Sequence, residues 1–157
     1  MTRASMGSVI GIDISGTRLA WAVFDYEAEV AECETYRLTA GRQYELIREG
    51  LRDAKRLAPE PTHIGIEQPH FGFPKSAYMH GMAVARCEDA CRTLWRHAPV
   101  RFFQPTEWRR IAGVGGRASK ERVMEFVRDE FGFAPHTQDE ADAACVSIAM
   151  WIEGHGE

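Results

Sequence analysis

The chain has 157 residues, 45% of them hydrophobic, which is enough to bury the core of one domain without covalent staples. A formal charge of -4 excludes binding of a polyanion through bulk positive charge, so any such contact has to be local. No apolar run approaches the ~20 residues of a membrane span, and MTRASMGSVIGIDI holds no secretory hydrophobic segment, so a cytoplasmic protein with no membrane partner is expected.

Val9–Ile14 is short, β-branched and apolar, and Ser15-Gly16-Thr17 then turns the chain into a second apolar run at 19–24, a predicted hairpin. A more polar strand over 30–38 completes an antiparallel meander as its edge. Between 42 and 57, Leu46, Ile47, Leu51, Ala54 and Leu57 recur at helical spacing until Pro59 and Pro61 close the segment.

His63–Glu67 reads as a buried strand, followed by the loop QPHFGFPK and a long helix over 76–97. Val100–Phe103 gives a fifth strand, Pro105-Thr106-Glu107 opens a short helix, and a loop with Gly113, Gly115 and Gly116 leads to a helix over 119–131. The last helix starts near Thr137 and carries Ala141, Ala144, Cys145, Ile148 and Ile152 on one stripe. Three antiparallel strands followed by alternating helices and strands predict an α/β fold, a mixed five-stranded sheet with helices on both faces. One domain over 1–157 is expected, with its core at about 8–153.

Cys33, Cys87, Cys91 and Cys145 form no dense disulfide framework and read as reduced thiols. Cys87 and Cys91 stand at i, i+4, but no second pair has zinc-site spacing, which favours simple burial.

Four carboxylates occupy costly positions. Asp13 lies between Ile12 and Ile14 in an apolar strand, where an unpaired charge is heavily penalised unless it caps the following turn. Glu67 ends another apolar strand, as a site residue or as an edge carboxylate. Asp139 and Asp142 share a face at the start of the last helix, where the positive helix end favours negative charge by itself. Brought together, the four would repel one another without divalent cations, and two such ions suit phosphodiester hydrolysis.

At this point the chain resembles the RuvC-type Holliday-junction resolvases of the ribonuclease H-like superfamily. IGIDISGTRLAWAVFD is similar to the family's first hairpin, IGIEQPHFG to its second acidic strand, and QDEADAACVSIA to its carboxy-terminal D-x-x-D helix. IAGVGGRASKERV resembles the Gly-rich loop that leads into a Lys-bearing helix, so the likeness extends over about 8–153.

The resemblance implies a ribonuclease H-like fold and a homodimeric endonuclease that nicks opposed strands of a four-way DNA junction. It implies two Mg2+ or Mn2+ ions on Asp13, Glu67, Asp139 and Asp142, and Lys120 beside the scissile phosphate, unless that lysine is merely solvated. Arg109 stands where the family often has a lysine. Arg109, Arg110, Arg117, Lys120 and Arg122 are then the local basic surface for the DNA backbone, or else an ordinary solvated face.

His70, Phe71 and Phe73 fall where the family places an aromatic wedge at the branch point, although they would equally pack beneath their own loop. Ala77, Gly81 and Ala85 repeat every four residues and fit a close helix contact between two subunits, or one with the sheet. Nothing in these residues specifies a helicase partner.

Three other readings use the same residues. GIDISGT also resembles the first phosphate motif of the actin and sugar-kinase superfamily, but the chain has no second phosphate hairpin. A noncatalytic DNA-binding scaffold would not need all four acids. A ribonuclease H-like nuclease acting on flaps, forks or RNA-DNA hybrids would use the same ones.

Overall fold

The computed structural model describes residues 7–25, 27, 30–68, 74–132 and 134–155. Strands β1 (Val9–Ile14), β2 (Arg18–Asp25) and β3 (Val30–Arg37) form the antiparallel meander. Strands β4 (His63–Glu67) and β5 (Val100–Phe103) add in parallel on the other side of β1. The sheet order is β3-β2-β1-β4-β5, so the mixed-polarity third strand is the edge that its composition predicts.

Helices α1 (Gln43–Leu57) and α2 (Pro74–Leu94) cover one face, packing on Ile10, Ile12, Ile14, Leu19, Trp21, Val23, Ile64 and Ile66. Helices α3 (Pro105–Ala112), α4 (Lys120–Phe131) and α5 (Gln138–His155) cover the opposite face, where Val9, Ala20, Ala22 and Phe103 meet them. The architecture is the expected α/β sandwich of a mixed sheet between helices.

Helix α2 stops three residues short of the predicted end. The Trp95 indole donates to the Ala58 carbonyl at 2.9 Å, and the Ala98 amide closes a turn on the Trp95 carbonyl, which redirects the chain through Pro99 into β5. A 3-10 turn at Ala40–Arg42 precedes α1, whose buried Gln43 side chain donates to the Gly16 carbonyl at 2.9 Å.

The alternation of side chains along each strand positions the acids. Ile10, Ile12 and Ile14 point towards α1 and α2, so Gly11 and Asp13 point towards α5. In β4, Ile64 and Ile66 take the α1–α2 face, and Gly65 and Glu67 take that of α5. The parallel register pairs Gly11 with Gly65 and Ile12 with Ile66, so both strands run Gly-Ile-acid in step.

The absence of side chains at the two glycines brings α5 down onto the sheet. A Cβ on Gly11 would lie 2.2 Å from the Ala143 carbonyl oxygen, and one on Gly65 2.9 Å from Val146 Cγ1. Helix α5 therefore crosses β1 and β4 just before their acids, with its own acidic first turns beyond the crossing.

Candidate active site

Asp13, Glu67 and Asp142 each offer a carboxylate oxygen within 4.8 Å of the others. All three side chains are half-buried. Burial raises the Asp13 carboxyl well above its ordinary value, and the neighbouring charges of Glu67, Asp142 and Asp139 raise it further. Glu67 is pushed up to about 7, first by burial and then by Asp142, against the lowering effect of a hydrogen bond from Trp108 and the charge of Arg109. Asp142 is also raised by burial, although Gln138 donates to its Oδ1 at 3.0 Å.

Asp139 stands beside this trio. Its charge acts on Asp13, and it pairs with Arg18 at 3.6 Å. Arg18, the first residue of β2, had no place in the sequence reading, although its position in SGTRLA next to the turn after Asp13 puts a cation at this end of the sheet.

Two further groups come only from the structure. Trp108, fully buried in α3, donates its indole N–H to Glu67 Oε2 at 2.9 Å. Glu140, buried between the two aspartates of α5, accepts from Thr35 Oγ1 of β3 at 2.7 Å and from Thr137 Oγ1 at 3.2 Å. Thr137 in turn accepts from the Glu140 amide at 3.0 Å and caps the helix. The acidic helix is thereby tied to the edge strand. The T-x-x-E spacing of Thr137 and Glu140 was the available sequence signal for the cap, but its partner Thr35 lies 105 residues away.

The cations approach from α3 and α4. The Arg109 guanidinium lies 5.1 Å from the centre of the Trp108 ring and helps keep Glu67 and Asp142 ionised. Lys120, at the exposed start of α4, acts on Asp142 in the same sense. Arg110 and Arg117 line one cavity of about 480 Å³ with Gln104, Thr106, Glu107 and Gly116. Arg122 is exposed and lies 3.8 Å from Glu125.

Gly81 has open space where a Cβ would be, and Ala85 is exposed. His70, Phe71, Phe73 and the side chain of Ala77 lie outside the described residues. Cys87 and Cys91 are buried among apolar residues, as simple burial predicts. Cys33 packs beside Glu140, and burial with that charge pushes its thiol up to about 12.

Three carboxylates this close repel one another unless protons or a cation intervene, and an all-oxygen donor set suits a hard divalent ion. Over 149 residues the chain is 31% identical to the crossover junction endodeoxyribonuclease RuvC of Anaeromyxobacter sp. (strain K), covering 89% of this chain and 78% of that protein. The chain belongs to the RuvC family.

The RuvC protein of Anaeromyxobacter dehalogenans (strain 2CP-C) is 30% identical over the same lengths. Among solved structures, Thermus thermophilus RuvC superposes with a TM-score of 0.72 at 23% identity, covering 95% of this chain and 96% of that one. The same protein in complex with a Holliday junction substrate superposes equally well, at 22% identity. These matches carry the ribonuclease H-like fold expected from the hairpin and the acidic strands. No family model matches the chain. Membership of the RuvC family also displaces the nucleotide-binding alternative raised by GIDISGT.

Proposed function

We propose that this chain is a divalent-metal-dependent endonuclease that resolves four-way DNA junctions by paired nicks, using one nuclease domain over about 8–153. The convergence of Asp13, Glu67 and Asp142 within 4.8 Å carries the reading. It is supported by the names of the curated relatives and by the junction complex of the Thermus thermophilus protein.

Asp13, Glu67, Asp139 and Asp142 would hold two Mg2+ or Mn2+ ions. Such ions activate a water and neutralise the leaving oxygen of a phosphodiester. The residues themselves do the positioning. Asp13 neighbours both Glu67 and the acids of α5, so it would be the ligand common to the bound ions. Gln138 orients Asp142, and Arg18 draws Asp139 to the outer side of the site.

Lys120 supplies positive charge to the phosphate under attack, from a helix start whose backbone amides are partly satisfied by Ser119. Arg109 faces the carboxylates, and its charge offsets theirs. Arg110, Arg117 and Arg122 contact the DNA backbone, which lets an acidic chain hold a polyanion locally. His70, Phe71 and Phe73, which follow Glu67 in the sequence, would stack on unpaired bases at the branch.

Cutting two opposed strands requires two sites, so the chain acts as a homodimer, with Ala77, Gly81 and Ala85 of α2 at the contact between subunits. An enzyme acting on DNA in this way would work in the cytoplasm. The test is nicking of synthetic four-way junctions, forks, flaps, linear duplex and RNA-DNA hybrid with Mg2+ or Mn2+. The reading predicts paired nicks on the four-way junction ahead of all the others. Preferential cutting of flaps or hybrids would replace it with a different nuclease specificity.

A further inference from the structure

We propose that Trp108 is a positioning residue for Glu67: its indole N–H fixes one carboxylate oxygen and leaves the other to face the cation pocket. This rests on the metal-dependent reading above.

Glu67 is the last residue of β4, paired with Phe103 of β5, and the next amide, that of Gln68, donates to the Phe103 carbonyl at 2.7 Å. A flexible glutamate at a strand end samples several rotamers, and each rotamer lost to binding costs entropy. The Trp108 ring removes that freedom.

The indole has one hydrogen and no acceptor, so it occupies a single lone pair of Oε2 at 2.9 Å and leaves Oε1 unbound by it. The donor is itself immobile. Trp108 has no solvent exposure, and it sits in the core cluster with Phe103, Val127 and the alanines of α5.

Helix α3 is closed at both ends. A capping box of Gln104 and Glu107 starts it, and Gly113, at φ 95°, ends it in the left-handed region. The Arg109 guanidinium lies over the ring, 5.1 Å from its centre. A neutral donor suits this position, because it orients the carboxylate without competing for it as a second cation would. Partners that orient a ligand in this way change metal affinity by roughly 10- to 100-fold when removed.

Trp108→Phe keeps an aromatic ring in the core, smaller than the indole, and deletes the N–H. Manganese binding to the DNA-free protein, read by titration calorimetry, should weaken by about 10-fold. The half-saturating manganese concentration for junction nicking should rise by a similar factor, with the maximal rate largely recovered at saturation and junction binding in EDTA unchanged. In a Glu67→Ala background the substitution should change the manganese affinity no further.

The wild-type protein offers a second measurement, independent of how the variant folds. The Trp108 indole N–H resonance should be protected from exchange, and saturating magnesium should move it. Wild-type manganese affinity in Trp108→Phe, an equal loss in the Glu67→Ala background, or an indole resonance indifferent to magnesium would each overturn the proposal while wild-type nicking stands. A wild type that binds manganese through a Trp108-dependent site yet cuts no DNA would overturn the nuclease reading and leave this one intact.

Discussion

Gly11 and Ser147 meet backbone to backbone: a methyl group on Gly11 would lie 2.3 Å from the Ser147 amide nitrogen. Neither atom can yield without moving β1 or α5. Because Asp13 and Asp142 ride on those two elements, the spacing of the candidate metal ligands is set at this crossing.

Gly11→Ala should therefore destabilise the fold by about 3 kcal/mol, at the upper end of overpacking costs. It should also weaken manganese binding, because α5 must lift. Gly65→Ala meets side-chain atoms of Val146 and Phe103 at 2.9 and 3.0 Å, which can turn aside, so its cost should be smaller, about 1 kcal/mol. Urea denaturation of both variants checks the ranking, and equal losses would contradict it.

The acid cluster predicts an inverted pH dependence of stability in the absence of metal. Glu67, Asp13 and Asp142 hold their protons more tightly in the folded state than in the unfolded chain, with Glu67 raised from 4.5 to about 7. Their contribution is fully present below the ordinary carboxylate values and is lost as pH rises through the folded values. In EDTA, stability should fall between pH 4.5 and 7. With saturating manganese it should rise over the same interval, because the ion displaces those protons. Thermal melts at pH 5, 6 and 7 with and without manganese would show the crossing, and rising stability in EDTA would refute it.

The clamp between β3 and α5 should be separable from the chemistry. Glu140→Ala removes the carboxylate that accepts from both Thr35 and Thr137, leaving the two hydroxyls only each other at 2.9 Å, and should cost about 2 kcal/mol. Thr35→Val removes one donor and should cost about 1 kcal/mol. If Glu140→Ala melts at the wild-type urea midpoint, α5 is held by packing alone.

The basic segment should appear in the salt dependence of DNA binding. Arg110→Ala and Arg117→Ala should each lower the slope of log affinity against log salt by about 1, with no change in manganese binding to the DNA-free protein. An unchanged slope for both would remove the segment from the DNA surface.

Much of this organisation was legible in the residues. The apolar runs at Val9–Ile14, His63–Glu67 and Val100–Phe103 match the observed strands to the residue, because short β-branched segments between turn signals admit little else. The acids were visible as charges in apolar company. The matched Gly-Ile-acid sequences of β1 and β4 were also there to be read, since they place glycine under α5 and the acid two residues beyond on the same face.

The partners of the acids were not legible. Trp108 lies 41 residues from Glu67, and Thr35 lies 105 from Glu140. Contacts at such separations follow from how α3 and β3 pack, which no local pattern encodes. Arg18 likewise meets Asp139 at 3.6 Å across the end of the sheet, a pairing over a long separation that nothing in SGTRLA signals.

The most direct measurement is cleavage of a synthetic four-way junction in manganese by the wild-type chain and by Asp13→Asn. Asp13 is the residue that all three other acids touch electrostatically, and the substitution keeps its size while removing its charge. Paired nicks by the wild type, and junction binding without nicking by the variant, are the predicted result. Undiminished cleavage by Asp13→Asn would contradict the assignment of these carboxylates as the catalytic centre.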